Sequence, residues 1–132
     1  MPNPVFRTNQ FSYSFAQPEH LYMTVSFGAS GAPTIVANTG MGISSITRSS
    51  AGKYIIALSH AYNGLLSVEI KSISSSAAPA APISYIVSDA STSSTAPAIT
   101  VQFDNLSAAA TDPASGESAL FDICLQKSSV RH

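Results

Sequence analysis

The feature that most constrains the fold is the stretch of residues 48–71, RSSAGKYIIALSHAYNGLLSVEIK, in which two alternating apolar runs flank Asn63-Gly64. Asn and Gly both tolerate the positive φ angles of a type I′ turn, whose twist suits two antiparallel strands. Each run places three apolar side chains on one face: Tyr54, Ile56 and Leu58 in the first, and Leu66, Val68 and Ile70 in the second. The pattern predicts a β-hairpin with one buried face.

Apolar and polar residues alternate with a period of two along almost the whole chain, and no segment shows a helical period. Turn-forming stretches such as GASGAP and STSSTAP separate about eight predicted strands. This spacing is typical of a sandwich or jelly roll, whereas a βαβ fold needs helices between its strands. We predict an all-β fold: a β-sandwich, jelly-roll-like with Greek-key connections, over residues 19–132, preceded by an extended N-terminal arm or first strand over residues 1–18.

Charged residues make up 10% of the 132-residue chain, and its six Lys and Arg leave a formal net charge of −1. Binding of nucleic acid or of an anionic membrane needs a basic face, so neither partner is expected. The first residues, MPNPVFRTNQ, have neither the basic nor the apolar region of a secretory signal. A surface so poor in charge is typical of a protein that other subunits cover.

Metal-ligating residue types are present but scattered. His20, His60 and His132 lie far apart in the sequence, without the close pairs that zinc sites use. Asp104 and Asp112 flank one loop and could share an ion, although Asp is also common in loops because it forms turns. We predict no metal site and no cofactor.

Nucleophilic residues also lack the neighbours that catalysis requires. Ser59 and His60 are adjacent, and adjacent side chains of a strand point to opposite faces. The single Cys124 excludes an intramolecular disulfide and is predicted to be a small buried or interfacial thiol. We predict that the chain is not an enzyme.

The five tyrosines could contribute to a sugar-binding surface, because aromatic rings stack on sugar rings, although the chain has no Trp. By alternation, Tyr13, Tyr54 and Tyr85 belong to core-facing positions, whereas Tyr22 points the other way. Tyr22 and Tyr62 are therefore the candidates for contact with a glycan.

Several segments together resemble virion structural proteins of tailed phages, including cyanophages. These segments are GISSITR (residues 42–48), GKY (52–54), YNGLLS (62–67), AAATDPASG (108–116) and FDICLQKSSV (121–130). Some proteins of this kind are capsid cement, or decoration, proteins that form trimeric β-rich knobs on the head. The resemblance covers about residues 40–130 by pattern, and His60 stands where an Asp is more usual.

The resemblance implies a non-enzymatic capsid cement protein that is made in the host cytoplasm and resides on the capsid surface of the virion. Its expected partners are two further copies, in a homotrimer, and the major capsid protein. A trimer matches the points where capsomers meet with threefold symmetry, and its three weak contacts would act together. Such a protein would bridge neighbouring capsomers and stabilise the shell.

Two surfaces are candidates for these contacts. The first is an apolar and aromatic arm that would bind the shell or a neighbouring subunit: Pro4, Val5, Phe6, Arg7, Phe11, Tyr13 and Phe15. The arm residues could equally form an ordinary first strand. The second is the predicted hairpin surface, with His60, Tyr62 and Asn63.

Two other functions stay open on the sequence. The chain could be a receptor- or glycan-binding knob of a tail fibre or head spike. It could also be an assembly or lysis-associated factor that is absent from the mature particle.

Overall fold

Eight strands dominate residues 18–39, 41–74 and 78–126, the parts of the chain that the computed structural model describes. They are β1 (Pro18–Phe27), β2 (Pro33–Asn38), β3 (Ile43–Ser50), β4 (Lys53–Leu58), β5 (Gly64–Ile73), β6 (Ile83–Ala90), β7 (Ala98–Asp104) and β8 (Ser118–Gln126). A 3₁₀ turn at Ala29–Gly31 joins β1 to β2. Within the described ranges, no helix is long and apolar enough to cross a membrane.

The strands form two four-stranded sheets, ordered β2-β1-β8-β5 (sheet A) and β3-β4-β7-β6 (sheet B). Every strand pair is antiparallel. The predicted all-β sandwich is therefore confirmed, while its jelly-roll winding stays a prediction.

The core lies between the sheets and comes mainly from their four central strands, β1, β8, β4 and β7. Alternate residues of these strands are buried: Leu21, Met23, Val25, Phe27, Tyr54, Ile56, Leu58, Ile99, Val101, Phe103, Phe121, Ile123 and Leu125. The rings of Phe27, Tyr54 and Phe103 meet edge to face, with centroids 5.4 to 5.9 Å apart. Edge-to-face contact is a favoured geometry for aromatic pairs, so this cluster ties sheet A to sheet B.

The predicted central hairpin is wrong. β4 pairs with β3 and β7 in sheet B, whereas β5 pairs with β8 in sheet A. Neither Asn63 nor Gly64 has a positive φ, so no type I′ turn forms there. Residues 59–63 instead cross from one sheet to the other, and the N–H of Asn63 donates to the carbonyl of Gln126 at 2.9 Å. Two alternating strands can bury their apolar faces against the same core from opposite sheets as well as side by side, and alternation alone does not distinguish these arrangements.

A β-bulge changes which side chains of β5 face the core. The register with β8 shifts between Leu65 and Ser67. Leu65, Val68 and Ile70 pack against the core, and Leu66 is 55% exposed. The prediction that Leu66 shares the buried face is wrong, because the extra residue of a bulge reverses the alternation on one side of it.

Two of three tyrosines face the way that alternation predicts. Tyr54 is fully buried and Tyr22 is exposed, as predicted. Tyr85 was expected to face the core but is 44% exposed. It lies on β6, one of the two outer strands of sheet B, where no described strand is hydrogen-bonded to the other side of β6.

Candidate functional site

The outer edge of β6 carries the largest group of neighbouring exposed apolar side chains in the described parts of the chain. Ile83, Tyr85, Ile86 and Val87 are between 38% and 44% exposed. β6 is hydrogen-bonded to β7 on one side, and no described strand pairs with its other side. A strand edge of this kind presents unpaired N–H and C=O groups, which makes it a template for another strand.

The other three edge strands have more of the features that discourage such pairing. β5 carries Glu69 and Lys71, and β3 carries Arg48 among four serines and one threonine. β2 is six residues long, begins at Pro33 and pairs with β1 through a bulge. Charges, proline, short length and bulges all protect edges from added strands. β6 has a bulge near Ser88 but no charged residue before Asp89, so it is the least protected edge.

The apolar surface continues from β6 towards β5, the outer strand of sheet A that lies nearest to it. Ile73 at the end of β5 is 46% exposed, and Val68 and Ile70 are only partly buried. A groove of about 510 Å³ runs past β5 towards the outer face of sheet A. Its lining mixes apolar with polar and charged side chains: Val68, Ile70, Ser84, Glu69, Lys71 and Asp122, among others. This side of the sandwich therefore leaves part of the apolar interior accessible.

The outer face of sheet A forms a second, more polar surface. Cross-strand register places Tyr22, Asp122 and Glu69 in one row and His20, Cys124 and Ser67 in the next. Tyr22 is 52% exposed, and its ring stacks on that of His20 with centroids 5.9 Å apart. An exposed ring beside carboxylates is an arrangement that can hold a sugar.

Three side chains on this face have the order of a thiol nucleophile, a base and an orienting carboxylate. His20 Nδ1 lies 2.8 Å from Asp122 Oδ1, and His20 Nε2 lies 3.7 Å from Cys124 Sγ. In the tautomer whose Nδ1–H donates to Asp122, Nε2 faces the thiol as an acceptor. This is the connectivity of a cysteine–histidine–aspartate triad.

The surroundings of the thiol nevertheless disfavour its ionised form. Burial raises the pKa of Cys124, and the negative charge of nearby Asp122 raises it further. A catalytic cysteine needs the opposite shift, because the thiolate is the nucleophile. Cys124 is 8% exposed, in agreement with the predicted small buried thiol.

Sequence reasoning missed the contact between His20 and Cys124, which lie 104 residues apart. It depends on the pairing of the first described strand with the last, β1 with β8, in a register that sets His20 opposite Cys124. No local sequence pattern in β1 or β8 predicts that these two strands pair.

The two loop aspartates have different partners. Asp104 accepts a hydrogen bond from Gln102 Nε2 at 3.0 Å, and its proximity raises the pKa of Tyr85. Asp112 accepts two from Arg48 and one from the N–H of Gly52. Among the described residues, no group of three or more His, Cys, Asp or Glu side chains could hold a metal ion.

Of the three residues predicted for the hairpin surface, two are exposed and one is buried. His60 and Asn63 are exposed on the crossover between the sheets, and a binding role for them stays a prediction. Tyr62 is only 3% exposed, so its predicted place on the surface is wrong. Its ring belongs to the core cluster and lies against the ring of His60, with centroids 4.4 Å apart.

All the residues predicted for the arm lie outside the described part of the chain: Pro4, Val5, Phe6, Arg7, Phe11, Tyr13 and Phe15.

Comparison with protein-family models, with curated proteins and with solved structures finds no match.

Proposed function

We propose that this chain is a non-enzymatic structural protein of a phage virion, a capsid cement protein that binds the outer surface of the head. One observation carries the proposal: the apolar edge of β6, which has no charge before Asp89, in a chain of which only 10% of the residues are charged. Such an edge is a liability for a protein that works alone, whereas a subunit of an assembly can cover it.

The mechanism is mechanical. A homotrimer places three identical surfaces around a local threefold axis, where each can contact a different copy of the major capsid protein. Once the first contact forms, the other two are effectively intramolecular, so weak individual contacts give firm attachment. Bridging adjacent capsomers in this way lets the shell resist the pressure of packaged DNA.

The test is gradient co-sedimentation with expanded heads that lack this protein. We expect saturable binding at a fixed ratio to the major capsid protein. Val87→Lys, which puts a charge on the β6 edge, should weaken binding, whereas Val36→Lys on β2, also at an exposed valine, should not. Protein that stays at the top of the gradient while remaining folded would contradict the cement role.

The outer face of sheet A favours a second candidate function, a glycan- or receptor-binding knob. Tyr22 lines both the groove of about 510 Å³ and a smaller one of about 130 Å³. A glycan array would test this candidate with Tyr22→Ala, and with Tyr85→Ala as a matched exposed tyrosine on the other sheet. Binding that only Tyr22→Ala abolishes would support it, and an array with no signal would contradict it.

A further inference from the structure

We propose that residues 10–17 of one copy add as a strand to the free edge of β6 in a neighbouring copy. The ring of three that would result rests on the proposed function; the pairing of segment and edge does not. The free edge of β6 is the least protected edge in the described fold, and the segment before β1 matches it in composition and in position.

The segment matches the edge in charge and in pattern. Residues 10–17, QFSYSFAQ, contain no charged side chain, and neither does β6 before Asp89. Phe11, Tyr13 and Phe15 alternate with serines, so an extended strand would present three rings on one face and small polar groups on the other. A strand with one apolar face suits a position beside an open apolar interior, such as the one between β5 and β6.

The chain enters β1 at the end of the sandwich where β6 finishes. Pro18 pairs with Gln126, which in turn pairs with Gly64 at the start of β5. The carbonyl of Ser91, just after β6, accepts a hydrogen bond from the N–H of Tyr62, two residues before Gly64. Pro18 and Ser91 therefore lie at the same end of the domain.

This placement favours pairing of residues 10–17 with β6 of a neighbouring copy over pairing with β6 of the same chain. β6 runs towards that end, and so does any segment that leads into Pro18 from alongside it. Within one chain the added strand would run parallel to β6, in a sandwich whose described strand pairs are all antiparallel. A neighbouring copy can supply the same segment antiparallel. The eight residues 10–17 reach at most about 29 Å when extended, which is enough to run along the eight residues of β6.

The test mixes two full-length variants that are each defective in one partner. Val87→Lys keeps the segment but charges the edge, and F11S/Y13S/F15S keeps the edge but removes the rings. We expect each variant alone to sediment as a 13.7 kDa monomer and the mixture to form a 1:1 complex of twice that mass. Val36→Lys in place of Val87→Lys should behave as the wild type, since its valine lies on β2.

Three outcomes would overturn the proposal. Self-association of F11S/Y13S/F15S would show that β6 pairs with a second β6. A wild-type monomer would place the segment on its own chain or nowhere. An oligomeric wild type whose two variants do not complement each other would locate the interface elsewhere.

Hydrogen exchange gives a readout that needs no substitution in β6. In the wild type, β6 amides should exchange at least about tenfold more slowly than in F11S/Y13S/F15S, because an added strand protects them. Equal exchange would contradict the proposal even if Val87→Lys did not fold. Neither measurement uses capsids. If the protein does not bind heads but residues 10–17 still pair with β6 of a neighbouring copy, only the cement role is contradicted.

Discussion

The guanidinium of Arg48 donates two hydrogen bonds to the carboxylate of Asp112, from Nε at 3.0 Å and from Nη2 at 2.9 Å. The same carboxylate accepts the N–H of Gly52 at 2.8 Å and lies 3.2 Å from the hydroxyl of Tyr54. Asp112 thus fastens the long loop before β8 to the β3–β4 turn and, through Tyr54, to the carbonyl of Gly31. It connects three loops at one end of the sandwich.

Replacing Asp112 should lower the free energy of unfolding in a pH-dependent way. We expect Asp112→Asn to cost about 2 kcal/mol at neutral pH, because charge-assisted hydrogen bonds are lost. Burial raises the pKa of Asp112, but hydrogen bonds from Arg48, Gly52 and Tyr54 outweigh it and hold the pKa below its ordinary value of 3.8. A depressed pKa stabilises the fold above pH 3.8, and that contribution is lost as the pH falls through the lower, folded-state value.

Urea unfolding of the wild type and Asp112→Asn between pH 7 and pH 2 measures this contribution. The gap between the two proteins should be constant at neutral pH and close in acid. A gap that is independent of pH down to pH 2 would contradict the assignment.

Gly52 and Gly116 offer a matched pair of glycines with positive φ, +73° and +93°. A Cβ on Gly52 would lie 2.5 Å from the carbonyl oxygen of Phe103, whereas one on Gly116 would meet nothing within 4 Å. Gly116→Ala should cost only backbone strain, about 1 kcal/mol. Gly52→Ala should destabilise the fold clearly more, because the backbone at Phe103 must move. Thermal melts measure the difference, and equal melting temperatures for the two variants would be evidence against the close packing of Gly52 on Phe103.

The hydroxyl of Tyr62 is buried and has no hydrogen-bond partner among the residues that the structure describes. Removing an unpaired buried polar group is neutral or favourable, because its desolvation is not compensated. Tyr62→Phe should therefore keep or raise the melting temperature, whereas Tyr54→Phe should lose about 1 kcal/mol with its hydrogen bond to Gly31. Destabilisation by Tyr62→Phe would reveal a partner for that hydroxyl.

The thiol of Cys124 should react slowly with a disulfide reagent at pH 8. Asp122→Asn removes the negative charge that raises its pKa, so the pH at which the rate rises should shift downwards. His20→Ala should speed the reaction by uncovering the sulfur. A wild-type thiol that reacts as fast as free cysteine would mean that it is activated, and would reopen a catalytic role for His20 and Asp122.

Much of the fold could be predicted from the two-residue period of apolar side chains, because a strand with one buried face must alternate apolar and polar residues. The buried faces of β1, β4, β7 and β8 all follow this rule. The partner of each strand could not be predicted: the runs on either side of Asn63-Gly64 suit a hairpin as well as a crossover. The bulge at Leu65 and the contact of His20 with Cys124 depend on β8, which is distant in sequence from both β5 and β1.

The most direct test of the central claim, that this chain is an assembling structural subunit, is its native mass in solution. Sedimentation equilibrium of the wild type over the micromolar range should give about three times the 13.7 kDa chain mass. Val36→Lys should leave that mass unchanged and Val87→Lys should reduce it to one chain. A wild type that remains monomeric throughout, with its β6 edge free, would contradict the account.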